Sequence, residues 1–216
     1  MSEEFFEAAT AGDVSRVKEM LHHDPSLARA KDQNGVSVMM KATYYGKKDV
    51  VTALLDSGVE LDVFEAAATG YTARLREVVA NDPSLVNVYS PDGFTPLGFA
   101  VFFSQPENVK ALLNAGADVN LPSRESMKVT PLASAAAAKQ TELARVLIAH
   151  GANVNARGAT GHVPLHEAAA NGTVELVKLL IDSGAAVNAK TDDGKTPLDF
   201  AIEYKRDEVV DLLKES

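Results

Sequence analysis

With 216 residues, 46% of them hydrophobic and 24% charged, the chain holds enough apolar material for a folded core and lacks the composition of a disordered acidic segment. It contains no cysteine, which excludes a disulfide framework, a thiolate metal site and a cysteine nucleophile, and its formal charge of −9 argues against broad binding to nucleic acid or anionic membrane. No apolar stretch reaches the roughly 18 residues that read as a membrane span, and Met1-Ser2-Glu3-Glu4-Phe5-Phe6 has no positive leader. A cytoplasmic protein is expected.

The apolar fraction is built from 33 alanines against 13 aromatic residues, which suits helices that stack closely and repeatedly. In chain order, a first helix pair ends at His22-His23. A second has the apolar run Val51-Thr52-Ala53-Leu54-Leu55 closed by Gly58, and a third starts at Val63. The fourth, fifth, sixth and seventh open on Thr95-Pro96-Leu97, Thr130-Pro131-Leu132, Val163-Pro164-Leu165 and Thr196-Pro197-Leu198. Proline fits a first helical turn, where its missing N–H would have no partner anyway. The second helices of pairs four to six run into Gly116, Gly151 and Gly184, where a left-handed residue ends a helix. Turn sequences such as Pro91-Asp92-Gly93 and Asp192-Asp193-Gly194 join one unit to the next, and the unit is about 33 residues long.

This pattern resembles the ankyrin repeat: a proline-opened helix, a second Leu-Leu helix, then a turn like Gly116-Ala117-Asp118-Val119-Asn120. The resemblance implies an all-α repeat solenoid, an ankyrin-repeat stack of helix-turn-helix units with β-hairpin fingers. Residues 1–216 form a single domain of about seven units, near 1–31, 32–62, 63–89, 90–122, 123–157, 158–190 and 191–216, the first and last being caps with polar outer faces. The run around Asp82-Pro83-Ser84-Leu85 and Asp92-Gly93-Phe94-Thr95-Pro96-Leu97 also resembles short bacterial ankyrin proteins. Unit two departs from the pattern, with Ser37-Val38-Met39-Met40 where Thr-Pro-Leu-His is usual, and the stretch from Asn120 to Thr130 is longer than its neighbours.

A second periodicity lies above the first. A shift of 58 residues places Phe6-Glu7-Ala8-Ala9 on Phe64-Glu65-Ala66-Ala67 and Asp24-Pro25-Ser26-Leu27 on Asp82-Pro83-Ser84-Leu85, so the first four units read as two copies of a two-unit module. Leu61-Asp62 runs almost directly into the helix at Val63, leaving no residues for a third hairpin. A gap in the row of fingers is expected there.

The resemblance further implies a concave face lined by the first helices and the fingers. Residues spaced i, i+3, i+4 share one helix face, and on that face Lys41, Tyr44 and Tyr45, then Phe99, Phe102 and Phe103, then Phe200 and Tyr204 collect most of the aromatics. Tyr44, Tyr45, Phe94, Phe102, Phe103, Lys41 and Tyr204 are the candidate partner-binding residues, since aromatics are enriched among interface hot spots; packing between Phe102, Phe103 and small neighbours is the alternative. Phe94 beside Phe102 would make a two-sided clamp, Lys41, Lys47 and Lys48 a local basic patch, and Arg124 to Lys128 an adaptable tip carrying Met127.

His162 and His166 have metal-ligand spacing, but Pro164 marks the helix start and leaves His162 outside it. No phosphate loop and no nucleophile elbow occurs. The expected function is therefore a non-enzymatic protein–protein interaction module, a monomer without cofactor or metal, binding a protein rather than nucleic acid or membrane through its concave face and hairpin tips. Two alternatives are a peptide or small-ligand pocket at the missing third hairpin, walled by Tyr45, Thr69 and Phe102 or Phe103, and a specific inhibitor, scaffold or assembly factor for a bacterial enzyme.

Overall fold

The computed structural model describes residues 2–216; Met1, where the first unit is expected to begin, lies outside them. The described residues form fourteen α-helices in seven consecutive pairs. They are α1 (Ser2–Ala11) with α2 (Val14–His23), α3 (Val38–Tyr44) with α4 (Lys48–Asp56), and α5 (Val63–Thr69) with α6 (Thr72–Asn81). They continue as α7 (Pro96–Phe102) with α8 (Pro106–Asn114), α9 (Pro131–Ala137) with α10 (Thr141–Ala149), α11 (Pro164–Asn171) with α12 (Val174–Asp182), and α13 (Pro197–Glu203) with α14 (Asp207–Glu215). Short 3-10 helices, Pro25–Arg29 and Pro83–Asn87, follow α2 and α6. From α2 to α4, every helix boundary recurs 58 residues later in α6 to α8.

Side-chain caps fix where the inner helices begin. Ser37, Thr95, Thr130 and Thr196 accept from the backbone N–H of Met40, Gly98, Ala133 and Asp199, and Asp62 accepts from both Phe64 and Glu65. Their buried faces carry many alanines, including Ala42, Ala66 to Ala68, Ala100, Ala135, Ala136, Ala168 and Ala169, which lets consecutive inner helices approach closely, beside buried Met39, Leu97, Phe99, Leu132 and Leu165. The outer helices add further bulk, with Leu54, Leu112, Leu147 and Leu180 fully enclosed. Burying each leucine contributes about 1.5–3 kcal/mol.

Three ladders tie neighbouring pairs together. Asn87, Asn120 and Asn155 each donate to the carbonyl of Gly116, Gly151 or Gly184 and accept from the N–H of Asp118, Asn153 or Ala186. At the turn between inner and outer helices, side chains of one pair reach the open carbonyls of the pair before: Gln105 to Ala68, Asn108 to Ala66 and Ala67, Asn171 to Ala136 and Ala137, and Arg206 to Ala170. At the opposite end, the connecting turns are joined by single backbone bonds, Arg124 to Gly93, Ala159 to Met127 and Asp192 to Thr160.

The fingers are tight, hairpin-like turns, each closed across its own base by a backbone bond: Asp32 to Val36, Ser90 to Phe94, Ser123 to Val129, Gly158 to His162 and Thr191 to Lys195. They are too short for named strands, and the described residues hold only an isolated bridge between Lys31 and Ser37. The expected gap at the third finger is closed. A Cβ placed on Gly35 of the second turn would lie 3.6 Å from Pro91 of the fourth, so the two turns pack directly. Pro91 holds the register occupied by the donors Arg124, Ala159 and Asp192, and having no N–H it makes this contact without the backbone bond. The caps are only partly polar, since Ile202 on α13 is 55% exposed.

Candidate partner-binding surface

Phe99, on the buried side of α7, is 1% exposed and forms the centre of an aromatic cluster. Phe94, Phe64, Tyr44 and Phe103 surround it with ring centroids 5.3, 6.1, 6.3 and 6.3 Å away. Tyr44 ends α3 and Phe102 ends α7, and because α5 between them offers only Ala68 and Thr69 at this level, the two rings meet across it at 6.4 Å. The Tyr44 hydroxyl donates to Asp92 in the fourth turn, and burial and the Asp92 charge push that phenol well above its ordinary value.

Exposure separates the seven sequence-derived residues. Tyr45 (62%), Phe102 (51%) and Tyr44 (36%) present aromatic surface. Phe94 is half-buried, and its ring lies 6.3 Å from that of Phe102, so the two touch and leave no slot for a clamp. Phe103 is half-buried, with its ring 5.0 Å from Phe102 and 5.4 Å from Tyr44, and it also lines a cleft at the helix-turn end of the array. Lys41 is held in an ion pair with Asp32 at 2.9 Å. Tyr204, half-exposed, stacks on Phe200 at 6.5 Å in the seventh pair, away from the others in the stack.

Beside Tyr45 lies an open trough of about 670 Å³ between α1 and the second turn, lined by Phe6, Glu7, Thr10, Lys31, Asp32 and Lys41 among others. The place of the missing third hairpin holds a cavity of only about 80 Å³, walled by Met40, Phe64, Pro91, Asp92 and Phe99 and not by Tyr45, Thr69, Phe102 or Phe103. Phe64 is the residue that the reading of the inner face passes over. It lies two residues after the cap Asp62, outside the i, i+3, i+4 triplet, yet its 58-residue register with Phe6 marks it as a packing position.

Two buried ionisable groups sit at corresponding places in different pairs. Glu65 accepts from the Ser37 hydroxyl at 2.6 Å and the Asp62 N–H at 3.0 Å, and burial, with the Asp62 charge, raises its pKa. His166, fully buried, accepts from the Val163 N–H through Nδ1 and faces the Lys195 carbonyl through Nε2, which these partners assign as the protonated nitrogen. Burial lowers its pKa. Both ring nitrogens are engaged, which leaves His166 no lone pair for a metal beside His162. In the longer turn, Arg124 lies 3.8 Å over the Tyr89 ring, Glu125 gathers the Ser123 hydroxyl and the Met127 N–H, and Met127 is 49% exposed.

A family model described as ankyrin repeats (three copies) matches residues 5–123, 63–158 and 132–216. The chain is 30% identical over 165 residues to a putative ankyrin repeat protein of fowlpox virus, covering 71% of this chain and 37% of that protein. It is also 30% identical over 118 residues to the DNA-binding protein RFXANK of Homo sapiens, covering 54% of this chain and 45% of that protein. A serine/threonine-protein kinase, VIK of Arabidopsis thaliana, shares 39% identity over 79 residues, or 37% of this chain and 18% of the kinase. The chain thus spans less than half the length of each of these relatives. No helix among the described residues is long and apolar enough to cross a membrane.

Proposed function

The chain belongs to the ankyrin-repeat family, and from that premise we propose that it is a non-enzymatic binding module that holds a protein partner on the surface formed by Tyr44, Tyr45 and Phe102 and the trough beside them. Ankyrin repeats are generally protein–protein interaction modules. The observation that carries the reading is the meeting of the exposed Tyr44 and Phe102 rings at 6.4 Å across two non-adjacent helix pairs, with the exposed Tyr45 next to Tyr44 at the edge of the trough, in a chain with only 13 aromatics in all. Desolvating such rings supplies hot-spot energy of about 2 kcal/mol or more each. Phe94 and Phe99 serve as the platform beneath them, Lys41 as a rim residue whose charge is shared with Asp32, and Tyr204 as a separate peripheral contact.

The net charge of −9 supports a protein partner over nucleic acid. The reading is tested by capturing partners from a native lysate with the wild-type chain and with Tyr45→Ala and Phe102→Ala variants of equal thermal stability. Loss of a specific captured protein with both variants is the expected result; an unchanged set refutes the aromatic centre.

A further inference from the structure

The junction between the second and third helix pairs differs from its neighbours at the helix-turn end. Elsewhere a side chain of the following pair covers or bonds the turn before it. Lys47 lies over Gly12, Gln105 over Gly70 and Arg206 over Gly172, Gln140 bonds the Ser104 hydroxyl, and Asn171 bonds the carbonyls of Ala136 and Ala137. At Gly46 that pattern stops. A Cβ built there meets nothing within 4 Å, and Tyr71, in the register of Lys47, Gln105 and Arg206, is 45% exposed. No side chain of α5 or α6 bonds the α3 carbonyls among the described residues.

The result is a cleft of about 460 Å³, within the size range of ligand sites. Its walls are Val51, Leu55, Tyr71 and Phe103, and its rim carries Lys47 and Lys48. In a chain where acids outnumber bases 30 to 21, none of the residues lining this cleft is Asp or Glu. Neither lysine has a carboxylate partner among the described residues. The lining is therefore apolar at its floor and singly signed at its edge, which is the complement of one kind of peptide.

We propose that this cleft, which adjoins the aromatic surface at Phe103, is a second docking site for an acidic peptide segment of a protein partner that inserts a large apolar side chain between Val51, Leu55, Tyr71 and Phe103 and sets its flanking carboxylates against the exposed Lys48, with Lys47 adding its charge from its place over Gly12. The apolar insertion provides affinity, and the lysines fix the direction and select against basic sequences. Phe103 is shared, lining this cleft while its ring lies 5.4 Å from Tyr44 and 5.0 Å from Phe102.

The test is random-peptide display on the immobilised full chain, followed by binding of a fluorescein-labelled copy of the enriched sequence. The expected enrichment places Asp or Glu next to Leu, Phe or Trp. Binding should weaken about tenfold or more in Lys47→Glu/Lys48→Glu, as for truncated interface charge pairs, and fall with added salt. Lys48→Glu alone leaves Lys47 over Gly12 and should weaken binding in the same direction with unchanged thermal melting. Tyr45→Ala, on the concave surface and outside this cleft, should leave it unchanged. Enrichment without acidic residues, no enrichment, or binding to the lysine variants equal to that of wild type overturns the proposal. Loss of binding on Tyr45→Ala with the lysine variants unaffected assigns the peptide to the concave surface instead.

Discussion

The Tyr44 hydroxyl donates to the Asp92 carboxylate 48 residues downstream, joining the second helix pair to the fourth turn over the top of the third. This single bond spans the place where a finger is missing. Asp92 turns its other oxygen to the Ser90 hydroxyl, so the phenol docks on an already oriented carboxylate. Tyr44→Phe keeps the ring contacts and removes only the bond. The expected loss is about 1 kcal/mol, the usual net worth of one hydrogen bond, measured by urea unfolding. A Tyr44→Phe/Asp92→Ala double variant should lose less than the sum of the two single changes, because both remove the same contact.

Phe99 and Phe102 lie three positions apart on α7 and should respond oppositely. Phe99→Ala empties the centre of the cluster and should cost about 3–5 kcal/mol. Phe102→Ala should cost about 1 kcal/mol or less, while abolishing partner capture. Thermal melting and capture, read on the same two samples, check both statements. Equal destabilisation would mean that the exposed ring is structural.

The buried pair Glu65 and His166 gives stability two opposing pH dependences. Glu65 has a raised folded pKa, so its favourable contribution is complete below the unfolded value near about 4.3 and declines as pH rises through the folded value. His166 has a lowered folded pKa, so its contribution is complete above about 6.5 and is lost as pH falls through the folded value. Protonation would also turn Nδ1 from the acceptor of the Val163 N–H into a second donor facing it. Relative to wild type, Glu65→Gln should gain stability as pH rises from acid to neutral. His166→Gln, which can still accept from the cap, should lose the weakening below neutral pH. Urea midpoints across that range decide; parallel profiles for variant and wild type refute the assignment.

Two turn glycines separate backbone strain from crowding. Gly46 and Gly70 both have positive φ, 65° and 85°, so alanine at either carries the left-handed penalty of about 1 kcal/mol. At Gly46 the added methyl meets open space, but at Gly70 it would fall 2.5 Å from Gln105 Oε1 and disturb the bond from Gln105 to Ala68. Gly70→Ala should therefore be the more destabilising by chemical unfolding. A Gly46→Ala cost as large as that of Gly70→Ala would show that the turn at Gly46 is covered.

Local chemistry made most of the architecture legible. Pro96, Pro131, Pro164 and Pro197 each open an inner helix, and Gly58, Gly116, Gly151 and Gly184 adopt the left-handed backbone past the outer ones. These are signals carried within a few residues. The site was harder to read because its geometry depends on what lies two pairs away. Helical spacing put Phe103 beside Phe102, where its ring does lie at 5.0 Å, but Ala68 and Thr69 leave so little bulk in the third pair that Phe103 also walls the cleft at the other end. Phe94 and Phe102 both belong to one aromatic neighbourhood, yet only three-dimensional contact shows that they fill the slot between them. The direct packing of Gly35 on Pro91 has no local signature at all, being the result of removing a turn that would have separated them.

The asparagine bridges start at Asn87 and continue through Asn120 and Asn155, so they cross the three junctions from the third pair to the sixth. The junction before them has the Ser37 to Glu65 bond and the Tyr44 to Asp92 reach, both near the finger side. Arg74 adds a tie from the third pair to the Leu61 carbonyl and Glu60. Fastened there and along the finger side, and unbonded only at its helix turns, this junction is open along a single margin, which a partner seated in the cleft would act to clasp.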